Sequence, residues 1–168
     1  CILALAEAKI AAINLHTNLD VCPGGVNDVL AEALGLADVS VLNPAGHDEQ
    51  GRPYGLLRTG SVREQSLAAV AAFVPKTLGC PGVRFADAGR PVRRVAVGGG
   101  SCGGAIEEVL AAGCDTLVTA DLKYNHFEEA KYRGLNLVDA GHFETENPVC
   151  AVLEHILREK LPELTVLR

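Results

Sequence analysis

The sequence predicts an α/β fold, a layered mixed sheet flanked by helices. Short β-branched apolar runs alternate along the chain with longer Ala/Leu-rich amphipathic runs, the pattern that layering of strands and helices leaves in a sequence. Glycine or a Gly/Pro pair stands at many of the joints between them, where helices stop and turns begin. The 168 residues are 48% hydrophobic, so the chain can bury a core without disulfide staples.

Taken in order, residues 2–9 (ILALAEAK) read as helix and Ile10–Leu15 (IAAINL) as a buried strand. Gly24-Gly25 breaks the chain before a helix over Val26–Leu34, whose early Asp28 and Glu32 suit the positive end of a helix dipole. A strand at Val39–Leu42 runs into the turn Asn43-Pro44-Ala45-Gly46 and a polar loop through Pro53; the 43–60 stretch is expected to be the most mobile part. Gly55–Thr59 reads as a short strand, and Ser61-Val62-Arg63-Glu64 as a capping box opening a helix over Val62–Leu78. Strands follow at Val83–Phe85 and Val92–Val97, separated by the turn Gly89-Arg90-Pro91, and the second enters the glycine-rich Gly98–Gly104. A helix over Ala105–Ala112 ends at Gly113. The unit then repeats as strand Thr116–Thr119, turn Ala120–Lys123, helix Asn125–Arg133, Gly134 as cap and strand Leu135–Val138. A helix over Thr145–Lys160 and a short strand at Leu164–Leu167 close the chain.

No linker-like tract or internal repeat divides these elements, so a single domain over 1–168 is expected. Met is absent, and the chain opens at Cys1 inside what reads as an apolar helix. It therefore reads as the C-terminal portion of a longer polypeptide, lacking an N-terminal part.

Charge and cysteine usage narrow the function. Fifteen basic against 21 acidic side chains give a net charge of -6, a field that repels phosphate backbones, so nucleic acid is an unlikely partner. The longest apolar run, Leu67–Val74, stops at Pro75, far short of the roughly 20 residues needed to cross a bilayer. Six dispersed cysteines without a C-x-x-C pair fit free thiols in a reducing cytoplasm.

Four constellations can carry chemistry. In Gly141-His142-Phe143-Glu144-Thr145-Glu146, His142 and Glu146 lie four apart at a helix start, so they project on one face and can hold one metal ion. The alternative is a turn histidine beside acids that complement the helix N-terminus. His16-Thr17-Asn18-Leu19-Asp20, after the expected strand, offers an imidazole and a carboxylate for ligation or proton transfer, or else a simple Asx turn. The glycine-rich segment contains G-x-G-x-x-G as Gly98, Gly100 and Gly103, with Ser101 as a hydroxyl donor and Asp121 placed as a ribose-binding acid. That combination makes a dinucleotide or phosphate loop the rival reading. In Asp121-Leu122-Lys123-Tyr124-Asn125-His126, His126 can shuttle protons, or Asp121 or Asn125 can simply cap the helix. His47 and His155 read as surface residues.

Taken together, His16-Thr-Asn-Leu-Asp20 with Pro23-Gly-Gly-Val-Asn-Asp28, Gly98–Gly104, and Asp121–His126 leading to Asp139-Ala-Gly-His-Phe-Glu-Thr-Glu146 resemble the dinuclear metal-centre hexameric protein family, the GTP cyclohydrolase 1 type 2 or NGG-one-interacting-factor-three-like proteins. The resemblance implies that Asp20, His142 and Glu146 are metal ligands, with Glu146 bridging two divalent ions of the Zn, Mn, Fe or Mg type. It implies that His16, His126 and the glycine loop line the same cleft. It further implies hydrolytic chemistry on a small-molecule substrate, possibly a nucleotide such as GTP, and a homohexamer. The family's paired-histidine motif, which supplies further ligands upstream, is absent from this sequence. Two other readings stay open: a nucleotide-cofactor module built on Gly98–Gly104, and a non-enzymatic assembly subunit with a vestigial site.

Overall fold

A computed structural model describes residues 1–168. Its centre is a six-stranded mixed sheet built from β1 (Ala37–Leu42), β4 (Leu57–Gln65), β5 (Arg84–Ala86), β6 (Val92–Val97), β7 (Thr116–Thr119) and β8 (Asn136–Asp139). The strand order is β1-β4-β6-β7-β8-β5. β6, β7 and β8 run parallel, while β1, β4 and β5 pair antiparallel at the two sides. β2 (Gly46–His47) and β3 (Pro53–Tyr54) form a separate small hairpin.

The strands are apolar on both faces because helices cover both faces of the parallel part. In β6, Val95 and Val97 face one layer and Ala96 the other; in β7 and β8, Val118 and Val138 oppose Leu117 and Leu137. The first layer packs Leu30, Ala31 and Leu34 of α3 (Val26–Ala33) and its end with Leu67, Val70, Val74 and Leu78 of α4 (Leu67–Leu78). The second packs Ile106 and Val109 of α5 (Ile106–Ala111) with Ala130 of α6 (Tyr124–Arg133). Two short helices, α1 (Ile2–Glu7) and α2 (Thr17–Val21), precede α3; α7 (His142–Glu146) and α8 (Val149–Lys160) follow β8. No helix is long and apolar enough to cross a membrane.

Most expected elements are present, and five expectations need correction. Ile10–Leu15 is neither strand nor buried: it has no regular structure and every residue in it is exposed. With no neighbouring strand to complete it, an apolar run of six has no ladder to join. The capping box at Ser61–Glu64 does not form, because those residues belong to β4, paired to β1 at Ser61 and to β6 at Ser61 and Gln65. The helix starts at Leu67, and Ser66 caps it by accepting a hydrogen bond from the Ala69 amide at 3.2 Å. The helix expected over Thr145–Lys160 is two helices, divided where Pro148 cannot donate a backbone hydrogen bond. Leu164–Leu167 forms no strand. The expected loop at 43–53 folds into the β2/β3 hairpin, tied by an Arg52–Asp48 ion pair at 2.8 Å.

Candidate metal centre

The parallel strands deliver three loops to one end of the sheet, the place where open α/β sheets present ligand sites. β6 leads into the glycine loop, β7 into Ala120-Asp121, and β8 into Ala140-Gly141. Backbone bonds past the strand ends hold these loops together: Gly98 N–H donates to Val118, Ala120 N–H to Gly100 and Ala140 N–H to Thr119.

On this platform His142 and Glu146 occupy one face of α7, with Nε2 and Oε1 3.0 Å apart. The other ring nitrogen, Nδ1, lies 2.7 Å from the Asp121 carboxylate. The hydrogen bond to Asp121 raises the His142 pKa above its ordinary 6.5; burial opposes it, and the Glu146 charge adds a smaller push upward. The glycine loop closes over this pair at Gly100, where φ is +65°. A Cβ there would lie 2.7 Å from Glu146 Oε1 and 3.0 Å from His142 Nε2. The backbone conformation therefore favours glycine, and a side chain there would have to displace the Glu146 carboxylate.

Asp20 arrives from the other side. It lies in α2, and it shares a pocket of about 350 Å³ with His16 and Glu146, walled by apolar residues that include Ile13, Leu15, Phe143 and Leu153. Burial, reinforced by the Glu146 charge, raises the Asp20 pKa against the opposing pull of His16 and His142. His16 sits at the start of α2, its Nδ1 3.0 Å from the Thr17 hydroxyl. It follows a segment without regular structure, not the strand end that the sequence predicts.

The structure thus brings His16, Asp20 and Glu146 to one pocket; His142 adjoins it through its contact with Glu146 but does not line it, and His126 is also outside the lining. The His126 Nδ1 accepts the Lys123 amide at 3.2 Å at the start of α6, and the ring packs where a Cβ on Gly103 would collide at 2.5 Å. The rest of the glycine loop is shaped by similar internal contacts. Gly98 lies against Leu57 and Cys102, Gly99 against Val26 and Asn27, and Ser101 is exposed. Gly98, Gly99, Gly100 and Gly103 are accounted for by parts of this chain within van der Waals reach of the loop, whereas Gly104 meets none.

The sequence reading missed two residues that hold the site together. Asn27 is fully buried; its amide donates to Asp20 O at 3.1 Å and Leu56 O at 2.5 Å, and its carbonyl accepts from Gly99 N–H at 2.6 Å. It joins the Asp20 segment, the residue preceding β4 and the glycine loop through one side chain. Thr145, also fully buried, accepts from Gly100 N–H at 3.0 Å and donates to the Gly141 carbonyl at 2.9 Å. Both stand inside the motifs noticed in the sequence, and the available signal was a polar residue at a core position of an amphipathic helix.

An imidazole with two carboxylates is a donor set that suits divalent cations, and the glycine cradle at Gly100 leaves room beside it. His142 and Glu146 face each other, however, and no three His, Cys, Asp or Glu side chains form a closed metal-holding cluster. The chain supplies an open, partial set of donors.

Comparison with known proteins agrees with this architecture. The family model Duf34/NIF3 (NGG1p interacting factor 3) matches residues 1–168. Proteins named GTP cyclohydrolase 1 type 2 homolog are similar: one from Nostoc sp. is 38% identical over 89% of this chain, and one from Streptomyces coelicolor 42% over 87%. The chain spans only 57% and 53% of those relatives' lengths. Among solved structures, the Staphylococcus aureus hypothetical protein SA1388 superposes with a TM-score of 0.86 at 27% identity, covering 98% of this chain and 67% of that one. A Bacillus cereus protein related to NIF3 gives 0.85 at 25% identity, covering 96% and 71%. With the whole sequence matched by one family model and the sheet shared with its structurally known relatives, this chain belongs to the Duf34/NIF3 family.

Proposed function

We propose that the pocket binds divalent metal through His142, Glu146 and Asp20, and that the protein is a metal-dependent hydrolase of a small molecule. The observation that carries this reading is the imidazole–carboxylate pair His142/Glu146 on one face of α7, close under Gly100, with Asp20 of α2 lining the pocket that Glu146 also lines. Held by these residues, a divalent ion would supply Lewis acidity, which would favour attack by water near neutral pH. The chain's own residues do the rest. His142 and Glu146 offer one neutral and one anionic donor. Asp20 adds a second carboxylate donor, its pKa raised by burial and the Glu146 charge. His16 lines the same pocket and is the better placed proton carrier, since His126 is engaged at the α6 terminus. Ile13, Leu15, Phe143 and Leu153 provide an apolar wall for the non-reacting part of the substrate. The names of the relatives make a purine nucleotide such as GTP the first substrate to assay.

A nucleotide-cofactor module is the less favoured reading, because Asp121 is hydrogen-bonded to His142 and the glycines are packed by internal side chains. Elemental analysis of purified protein discriminates between them. We expect bound divalent metal that His142→Ala and Glu146→Ala each remove; NAD binding by metal-free protein, with metal content unaffected by either change, would replace the hydrolase reading with the cofactor module.

A further inference from the structure

The turns that carry Asp121 and His142 are both held by one buried carboxylate at the end of β8. Asp139 is 6% exposed, and its two oxygens accept from the Leu122 amide at 3.1 Å and from the Gly141 amide at 3.2 Å. Leu122 follows Asp121 and Gly141 precedes His142, so the two amides flank the pair whose side chains meet at 2.7 Å. Neither amide belongs to a strand ladder: both turns lie past the ends of β7 and β8, with left-handed backbone at Asp121 (φ +53°) and Gly141 (φ +86°). From outside, Arg84 of β5 pairs with Asp139, donates to the Leu122 carbonyl at 3.0 Å and lies over the Phe127 ring, 5.3 Å from its centroid. It gives the buried carboxylate a counter-charge.

We propose that Asp139 is a positioning residue that clamps the Asp121 and Gly141 turns together and so sets where His142 enters the site. Its oxygens are turned to two amides and a guanidinium, so it adds no donor of its own. Hydrogen bonds behind a metal ligand fix its orientation, and their loss lowers metal affinity although every ligand remains. The clamp stands on the geometry of the two turns; its consequence for metal rests on the metal-binding reading above. The same sheet contains a matched aspartate with no link to the site. Asp115, also 6% exposed, stands before β7 and accepts from the Arg93 and Arg94 amides at 3.0 and 2.9 Å and from the Thr116 hydroxyl at 2.8 Å. The two are alike in burial and in their amide partners, but they stand at opposite ends of the parallel strands.

Asp139→Asn keeps the shape but replaces one acceptor oxygen with an NH₂ donor, which must then face an N–H. Facing Gly141 loses one bond, whereas facing Leu122 and Arg84 loses two, so the Gly141 turn is the one released. Amide hydrogen exchange on metal-free protein reads this directly. We expect the Gly141 N–H to be protected in the wild type and to exchange much faster in Asp139→Asn, with the Ala140 N–H, bonded to Thr119, unchanged. Mn²⁺ or Zn²⁺ binding, measured by calorimetry, should weaken by about 10- to 100-fold. Asp115→Asn should lower the urea midpoint by a similar amount while leaving Gly141 exchange and metal affinity as in the wild type; a merely structural role for Asp139 would not separate these two variants. Equal affinity losses in the two, wild-type affinity in Asp139→Asn, or a Gly141 amide that exchanges equally fast with and without the carboxylate would overturn the proposal. If Asp139→Asn does not fold, Arg84→Met decides, because that side chain is 65% exposed: loss of the outer tie should speed exchange at Leu122 and weaken metal binding, and failure of either overturns the proposal. Should the wild-type chain bind neither metal, the hydrolase reading fails, while exchange at Gly141 and Leu122 still decides whether Asp139 clamps the turns.

Discussion

Gly100 shows how one residue can be required twice. Its left-handed φ of +65° disfavours any side chain by about 1–2 kcal/mol, and a Cβ would press on Glu146 Oε1 at 2.7 Å. The carboxylate is the far end of a flexible side chain and can swing aside, so the backbone carries most of the stability cost and the donor pair carries the functional one. Gly100→Ala should lower stability by about 1–2 kcal/mol, roughly 2–8 °C in Tm at this chain length, and sharply reduce the metal retained after dialysis. Gly104 meets nothing within 4 Å of a Cβ and has no left-handed backbone. Gly104→Ala should leave both readouts nearly unchanged. Equal losses in the two variants would show that the glycine run matters for chain flexibility and not for the approach of Glu146. The sequence marks both as glycines in one run, and nothing local distinguishes them. The difference is made by α7, which reaches Gly100 from more than 40 positions away.

At the scale of the element, local signals succeeded where they had no tertiary competitor. β6, β7 and α6 lie within a residue or two of their expected bounds, because strand and helix periodicities there agree with burial and Gly134 ends α6 in the left-handed conformation expected of a cap. The same logic failed at Ser61–Glu64. A capping box contributes two local hydrogen bonds, whereas the β4 residues are in ladders with both β1 and β6, so pairing outweighs the local motif. This register makes opposite forecasts for two neighbouring residues. Ser66→Ala removes the cap on α4 and should cost about 1 kcal/mol in urea unfolding. Glu64→Ala loses only an exposed ion pair with Arg93 and should cost less than about 1 kcal/mol. If the Glu64 variant proves the more damaging, the helix begins earlier than Leu67 and the assignment of β4 is wrong. Ile10–Leu15 failed for the converse reason, since apolar periodicity predicts burial only where another element supplies the second surface.

For the whole molecule, the question is what holds the Asp20 segment against the sheet, since the residues it brings together are more than 120 positions apart. The sequence marks the chemistry of Asp20, His142 and Glu146, but the link between them depends on a buried arginine that looks like an ordinary strand charge. Arg58 is 1% exposed in β4; its guanidinium pairs with Asp28 of α3 and donates to Gly55 O at 2.7 Å, Cys22 O at 3.3 Å and Val21 O at 3.4 Å. One cation thus ties α3 and the end of α2 to the sheet, beside the Asn27 bridge. The two members of the pair are not equivalent, because the Asp28 side chain remains 32% exposed and can be hydrated if its partner is lost. Asp28→Ala leaves a buried guanidinium without a counter-charge and should cost about 3–5 kcal/mol. Arg58→Met fills the same volume and strands chiefly the Gly55 carbonyl, a loss of about 1–3 kcal/mol. Urea midpoints at unchanged m-value provide the comparison, and an Arg58→Met protein as unstable as Asp28→Ala would show that the carbonyl contacts, not the charge pair, hold the segment. Both variants should lose metal out of proportion to their stability, because unfastening α2 removes Asp20 from a pocket that His142 and Glu146 alone leave open.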